Sequence, residues 1–322
     1  MIYPEIISKI NDSNNIAIMS HIMPDGDNVG SSLALYNALK KYGKDVRFIL
    51  DDDIPKVYKF LKHSDKVERP GQYESFDVVI ALDCGDAGRL GKSSLYIEDN
   101  FVINIDHHIS NDEFGNINMV DSNAAATGEI IYQIIKMLGI EIDKEISECL
   151  YTAIVTDTGQ FQYSNTTFIT HQIAGELINN GVNVSLMFER IYQNSSKEKV
   201  MLMKTALDTL EFYHNDNISC VSLTLEQMKD INAKEDDSEG IINLARDIEC
   251  VEAAIFLKEL EPGKIKVGLR SRKVVDVAAV ALQFGGGGHV RAAGCTLYGT
   301  VAEVKEKILD AVIEKLLKCN GE

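Results

Sequence analysis

No apolar stretch in this sequence approaches the roughly 18–20 residues that a helix needs to cross a bilayer, which excludes a helical membrane span. The first residues, Met1-Ile2-Tyr3-Pro4-Glu5, have neither the basic nor the apolar region of an export signal, so the expected compartment is the cytoplasm. There is no Cys-x-x-Cys pair either. The six cysteines, at 84, 149, 220, 250, 295 and 319, are scattered and read as reduced, mostly buried thiols rather than as a disulfide frame or zinc site. Positive charge is scarce: 32 Lys and Arg face 49 Asp and Glu, a net charge of −17. The extended basic face that binds long nucleic acid is therefore not expected. A short anionic substrate stays open, because bound divalent ions can reverse the field locally. What is there is globular: 45% hydrophobic and 25% charged over 322 residues, enough for two domains with separate cores.

The chain is organised around His21-Ile22-Met23-Pro24-Asp25-Gly26-Asp27-Asn28-Val29-Gly30-Ser31. An apolar run precedes it and an amphipathic segment through Leu33, Leu35, Ala38 and Leu39 follows, which reads as strand, tight loop, helix. Pro24 sets φ and Gly26 is expected to let the backbone turn back, so that one His and two Asp point at one spot. Such a set can bind a hard or borderline cation. The competing reading is a turn whose carboxylates cap the next helix.

Further strands are expected at 45–50, 77–82 and 101–105, the last two running into Asp83-Cys84-Gly85-Asp86 and Asp106-His107-His108. Their near-continuous apolar character predicts a parallel sheet covered on both faces by helices. Helices are expected at 127–138, 145–155 and 170–180, the second ending at Thr156-Asp157-Thr158-Gly159. Three polar clusters thus follow three parallel strands, where open α/β sheets bind ligands, and Asp157 can complete the crevice from a helix end. After a linker-like stretch at 193–198 and a helix to 209 the pattern restarts. A strand at 218–223, a helix at 239–248, a hairpin turning at Glu261-Pro262-Gly263, a helix at 275–284 and a last helix at 301–317 are expected.

His21, Asp25, Asp27, Asp83, His107, His108 and Asp157 offer only oxygen and imidazole nitrogen. The lack of thiolate argues against structural zinc, and imidazole with several carboxylates suits Mn²⁺ better than Mg²⁺. So many carboxylates in one crevice repel too strongly to stay ionised without cations. Two ions about 3.5–4 Å apart can share one carboxylate and a hydroxide that attacks phosphorus. Each motif alone has a plainer reading, a turn at Asp83-Cys84-Gly85-Asp86 or a helix stop at Asp157-Thr158-Gly159. Their joint placement at element ends favours a site.

Together these motifs resemble the four motifs of the DHH phosphoesterases. The stretch Gly285-Gly286-Gly287-Gly288-His289, with Ala292-Ala293-Gly294 after it, resembles the signature of the DHH-associated C-terminal domain. The resemblance covers essentially the whole chain and is greatest to the small two-domain members that act as nanoRNases and 3′-phosphoadenosine-5′-phosphate phosphatases. It implies an α/β fold with a parallel-sheet DHH catalytic domain over 1–190, a linker and helix over 191–212, and a smaller α/β substrate-binding domain over 213–322. It implies two Mn²⁺ ions, with Mg²⁺ as a substitute. One would be held by His21, Asp25 and Asp83, the other by Asp27, Asp83, His107 and Asp157. Asp106 would orient a neighbouring histidine, and His108, whose plainer reading is a structural histidine, would face the scissile phosphate. Arg270 and Ser271 would clamp the substrate's terminal phosphate, with Gly286, Gly287, Gly288 and His289 beside them. Arg272, Lys273 and Arg291 are weaker candidates, and Arg89 can also face the crevice but is not counted on.

The substrates so implied are very short 5′-phosphorylated oligonucleotides and 3′-phosphoadenosine-5′-phosphate, hydrolysed in a cleft between domains. No long nucleic acid and no membrane partner is expected, and a homodimer is left open. The alternatives are a phosphodiesterase for a cyclic or linear dinucleotide signal and, in a different class, a nucleotide-binding sensor without catalysis.

Overall fold

The computed structural model describes residues 2–320, which divide into two units between Asn194 and Ser195. In the first unit, helix α1 (Ile2–Asp12) leads into β1 (Asn15–Ser20), α2 (Gly26–Lys41) and β2 (Asp45–Ile49). Then come β3 (Val78–Leu82), β4 (Val102–Asp106) and β5 (Ile117–Val120), followed by α3 (Thr127–Met137), α4 (Lys144–Asp157), α5 (Phe168–Asn179) and α6 (Val184–Tyr192). The five strands are all parallel in the order β2-β1-β3-β4-β5. The chain leaves β1 toward β2 and then returns to β1's other side, so the carboxyl ends of β1 and β3 flank the point where strand order reverses.

Successive strand residues point to opposite faces. Ile16, Ile18, Val78, Ile80, Ile103 and Ile105 join the core beneath the helices. Ala17, Met19, Val79, Ala81 and Val102 join a smaller core on the other face, with Leu90 and Tyr96. That second face departs from the expectation of helices on both sides. Its cover is a run of 3₁₀ turns over Ala87–Tyr96, broken at Gly91, whose φ of +59° no continuous helix accepts.

Helix α2 is buried on all sides from Gly26 to Leu39, as a helix lodged within a core must be. Its close neighbour is α4. A Cβ on Gly26 would overlap the Thr156 side chain, and one on Gly30 would lie 2.6 Å from the Cys149 carbonyl oxygen. The expected role of Gly26 in a reversing turn is corrected here. Gly26 begins the helix, where it lets α2 touch α4, and the left-handed residue of the loop is Met23, at φ +54°.

The second unit holds α7 (Lys197–Leu207), β6 (Glu211–Tyr213), β7 (Ile218–Leu223), α8 (Leu225–Ile231), α9 (Ile241–Arg246), β8 (Ala253–Glu261) and β9 (Lys264–Ser271). It ends with α10 (Val277–Leu282), β10 (Gly287–His289), β11 (Ala292–Tyr298) and α11 (Val301–Asn320). Six strands form one sheet in the order β10-β11-β9-β8-β7-β6, antiparallel except where β7 meets β8. Ile255, Leu257, Val267 and Leu269 face α10 and α11, whereas Ala254 and Phe256 face α7 and α9. The hairpin β8–β9 turns through Gly263 at φ +75°. No helix among the described residues is long and apolar enough to cross a membrane.

Candidate metal centre and active site

Each side chain of the polar cluster is placed by the element it ends. His21 follows β1 and is buried. Its Nδ1 lies 2.7 Å from the Ile22 carbonyl, and Nε2 points at Asp83 Oδ2, 3.4 Å away, and at Asp25 Oδ2, 4.0 Å away. With Nδ1–H donating to the carbonyl, Nε2 keeps its lone pair, the tautomer a metal ligand needs. Asp25 caps α2, its Oδ1 accepting from the Asn28 N–H at 3.0 Å. The two readings of the loop are thus compatible: one oxygen of Asp25 caps the helix and the other faces His21.

Asp27 is fully enclosed, and both its oxygens accept from the start of α3, from Thr127 N–H at 2.6 Å and Gly128 N–H at 3.0 Å. Burial, and then the charges of Asp83, Asp157 and Asp25, push its carboxyl well up. Asp83 follows β3 in the left-handed conformation, φ +54°, with Thr127 Oγ1 donating to its Oδ1 at 3.1 Å. Burial raises the Asp83 carboxyl, but the His21 imidazole that faces it, with smaller contributions from His108 and His107, leaves it below its ordinary value.

His107 directs Nε2 to Asp157 Oδ2 (3.5 Å), Asp83 Oδ1 (3.6 Å) and Asp27 Oδ2 (3.8 Å), with Nδ1 on the side of the Ala124 carbonyl at 3.3 Å. Asp157, at the end of α4, is pushed up to about 6, first by burial and then, against the pull of His107, by Asp83 and Asp25. Asp106 is buried at the end of β4, and its Oδ1 accepts from both the His107 amide (2.8 Å) and His108 Nδ1 (2.7 Å). That bond raises the His108 imidazole to about 9. Burial opposes ionisation of Asp106, but His108 and Asn111 hold it below its ordinary value.

These spacings test the fit of a cation. Separations of 3.4–4.0 Å between imidazole nitrogen and carboxylate oxygen are too long for hydrogen bonds. They approach the edges of a coordination shell, where ligand atoms about 2.1 Å from one ion stand about 3.0–3.4 Å apart. Two groups of this kind form, His21 with Asp25 and Asp83, and Asp27 with His107 and Asp157; Asp83 also groups with His107 and His108. The donor set is oxygen and nitrogen throughout and fits a divalent cation.

Without metal, the charge pattern sets a pH dependence. The raised Asp157 carboxyl favours folding while protonated, and that contribution disappears as pH rises through about 6. The raised His108 imidazole contributes fully below its unfolded value of 6.5, and this is lost as pH rises through about 9. Metal-free protein is therefore expected to lose Tm from pH 5 to 9.5. Saturating divalent cation should abolish the step near pH 6, a contrast readable by thermal melts; a Tm that rises over this range would contradict it.

The candidate residues of the second unit form their own group. Arg270, on β9, is half-buried and donates from Nη1 to the Leu269 carbonyl at 3.0 Å. Burial and the neighbouring Arg246 lower its guanidinium pKa. Ser271 follows Arg270 at the end of β9. Its hydroxyl donates to Val275 O at 2.6 Å and its amide to Arg291 O at 3.1 Å, so both donors are engaged within the fold. The glycine stretch is an edge strand rather than an open loop: Gly287 and Gly288 pair with Gly294 and Ala293, and His289 with Ala292. A Cβ on Gly286 would overlap the Gly294 carbonyl, so this close approach is to the chain's own backbone.

Thr127 and Asn111 were missed. Thr127 binds both Asp27 and Asp83, and Asn111 Nδ2 donates to Asp106 Oδ2 at 2.6 Å. The one local signal was that Thr127-Gly128 opens a helix, which leaves N–H groups free for a carboxylate.

The chain matches the family model described as DHH family, N-terminal domain, over residues 15–154, and that of the DHHA1 domain over residues 217–318. It is 37% identical over 310 residues to the bifunctional oligoribonuclease and PAP phosphatase NrnA of Thermus thermophilus, covering 94% of this chain and 90% of that protein. The Bacillus subtilis protein of the same description is 27% identical over 298 residues, covering 91% and 93%. A solved structure, an exopolyphosphatase-related protein from Bacteroides fragilis, superposes with a TM-score of 0.91 at 29% identity, covering 97% and 95%. Both units are matched in order, and the chain belongs to the DHH family of phosphoesterases, with a DHHA1 domain as its second unit.

Proposed function

We propose that this protein hydrolyses very short 5′-phosphorylated oligonucleotides to mononucleotides, and 3′-phosphoadenosine-5′-phosphate to AMP, with Mn²⁺ as its cofactor. The observation that carries the proposal is the convergence of two imidazole–carboxylate groups at the carboxyl ends of β1 and β3. The Thermus and Bacillus relatives, named for these two activities over nearly their whole length, support the choice of substrates. His21, Asp25 and Asp83 would hold one ion, and Asp27, Asp83, His107 and Asp157 the other. Bound there, the pair supplies Lewis-acid charge and lowers the pKa of a water for attack on phosphorus.

The chain's own side chains do the positioning. Thr127 and the start of α3 fix the Asp27 and Asp83 carboxylates. Asp106 orients His108 through Nδ1 and keeps it protonated, so that Nε2–H can donate to a phosphate oxygen or the leaving oxygen. Arg270, which has no carboxylate partner among the described residues, is the proposed grip on the substrate's terminal phosphate, with the edge strand of Gly287, Gly288 and His289 one strand away across β11. Ser271 holds the turn that follows Arg270 at the end of β9.

The test uses metal-stripped protein re-supplied with Mn²⁺, Mg²⁺ or Zn²⁺. It is assayed on a 5′-phosphorylated dinucleotide, the same dinucleotide without the phosphate, a 24-mer and 3′-phosphoadenosine-5′-phosphate. Mn²⁺-dependent release of mononucleotides from the dinucleotide, with the 24-mer nearly untouched, is the expected result. Arg270→Ala should lose about 10–100-fold in kcat/KM on the phosphorylated dinucleotide and much less on the unphosphorylated one, in line with a charge-assisted bond. Fast cleavage of the 24-mer, or silence on every substrate, would sink the proposal.

A further inference from the structure

One cation beside the metal cluster has no assigned role. Arg89 is half-buried, and its guanidinium makes no hydrogen bond, ion pair or ring contact among the described residues. The other arginines of its unit all have partners: Arg47 binds Glu68 and Glu74, Arg69 binds Asp53, and Arg190 lies over the Phe60 ring. In a chain of net charge −17, an arginine without a carboxylate partner among the described residues is conspicuous.

Its backbone is pinned at both ends. The Arg89 carbonyl accepts from Ile22 N–H at 2.8 Å, directly after His21. The Arg89 amide donates to Asp86 Oδ1 at 3.1 Å, which engages that carboxylate oxygen with the backbone. On the same turn the Gly85 carbonyl accepts from Asp112 N–H at 2.9 Å, and a Cβ on Gly85 would lie 4.0 Å from His108 Cβ. The segment from Asp83 to Arg89 therefore lies between the His21 loop and the His107-His108 loop, and His108 feels the Arg89 charge.

We infer that Arg89 is a further catalytic residue, whose guanidinium binds the non-bridging oxygens of the phosphate under attack, on the His108 side of the site. This inference rests on the phosphohydrolase reading above. A planar fork of N–H donors matches two phosphate oxygens at once, and it stabilises charge that grows in the transition state without a proton moving. With its backbone held and no carboxylate bound to it among the described residues, the guanidinium gives up no ion pair when it binds a phosphate.

The full-length protein is compared with Arg89→Ala and Arg89→Lys, all loaded with Mn²⁺. Substrates are the 5′-phosphorylated dinucleotide and bis(p-nitrophenyl) phosphate, and Mn²⁺ affinity is measured by calorimetry. The Ala variant is expected to lose about 10²–10³-fold in kcat on both substrates. The Lys variant should recover part of the loss, and added guanidinium ion should restore turnover to the Ala variant but not raise that of wild type, with Mn²⁺ affinity unchanged. Wild-type kcat in the Ala variant overturns the inference, as does a loss that tracks weakened Mn²⁺ binding. If wild type hydrolyses bis(p-nitrophenyl) phosphate but not the dinucleotide, the substrate reading falls while the Arg89 comparison still decides this one.

Discussion

Replacing Asp83 by Asn is expected to lower turnover by about 10³-fold or more, the scale of the several kcal/mol that metal charge contributes to a phosphoryl transition state. Asn is the informative choice, because residue 83 sits at φ +54°, where Asn is tolerated and Ala is strained. An amide oxygen can still accept from Thr127 Oγ1, so the local fold is retained. What is lost is a charge facing His21, His107 and His108 at 3.4–3.7 Å. The metal-free variant should melt somewhat lower than metal-free wild type at neutral pH, since the Asp83 carboxyl is held below its ordinary value and its charge therefore favours the fold. The rise in Tm on adding Mn²⁺, worth about 2.7 kcal/mol at a hundred times Kd in wild type, should shrink or vanish. Near-normal turnover with an undiminished metal shift would rule out Asp83 as the shared ligand.

Gly30→Ala should cost about 3 kcal/mol of stability, the upper range for overpacking a core. The added Cβ would meet the Cys149 carbonyl oxygen at 2.6 Å and the Ala153 nitrogen at 2.7 Å. Both are backbone atoms of α4, so relief requires the helices to part rather than a side chain to turn. Parting them also moves Asp25 and Asp27, at the start of α2, away from Asp157, at the end of α4. Divalent-cation affinity should therefore fall together with Tm. Gly175→Ala on α5 is the control: nothing lies within 4 Å of its added Cβ, and removing a helical glycine should stabilise by about 0.5–1 kcal/mol. Denaturant melts and calorimetric metal titration read both, and a Gly30→Ala protein as stable as wild type would refute the packing account.

The sequence alone determined which side chains end the strands. His21, Asp83 and Asp106 each close an apolar run of the length and continuity that a buried parallel strand requires, and that pattern is local. It also determined the chemistry on offer, since a donor set of imidazole and carboxylate without thiolate is a matter of composition. Tertiary structure decided what depends on atoms far apart in the chain. Thr127 reaches Asp27 across 100 residues, Gly30 is required by α4 rather than by its own backbone, and the proton of Ser271 is taken by Val275. It also decided that Ala87–Tyr96 covers the sheet as 3₁₀ turns, and that Gly287 and Gly288 pair along a strand edge. The physical reason is range. Strand ends follow from hydrophobic periodicity over a few residues, whereas steric contact and hydrogen-bond partnership act over about 3–4 Å and exist only once separate segments have been packed together.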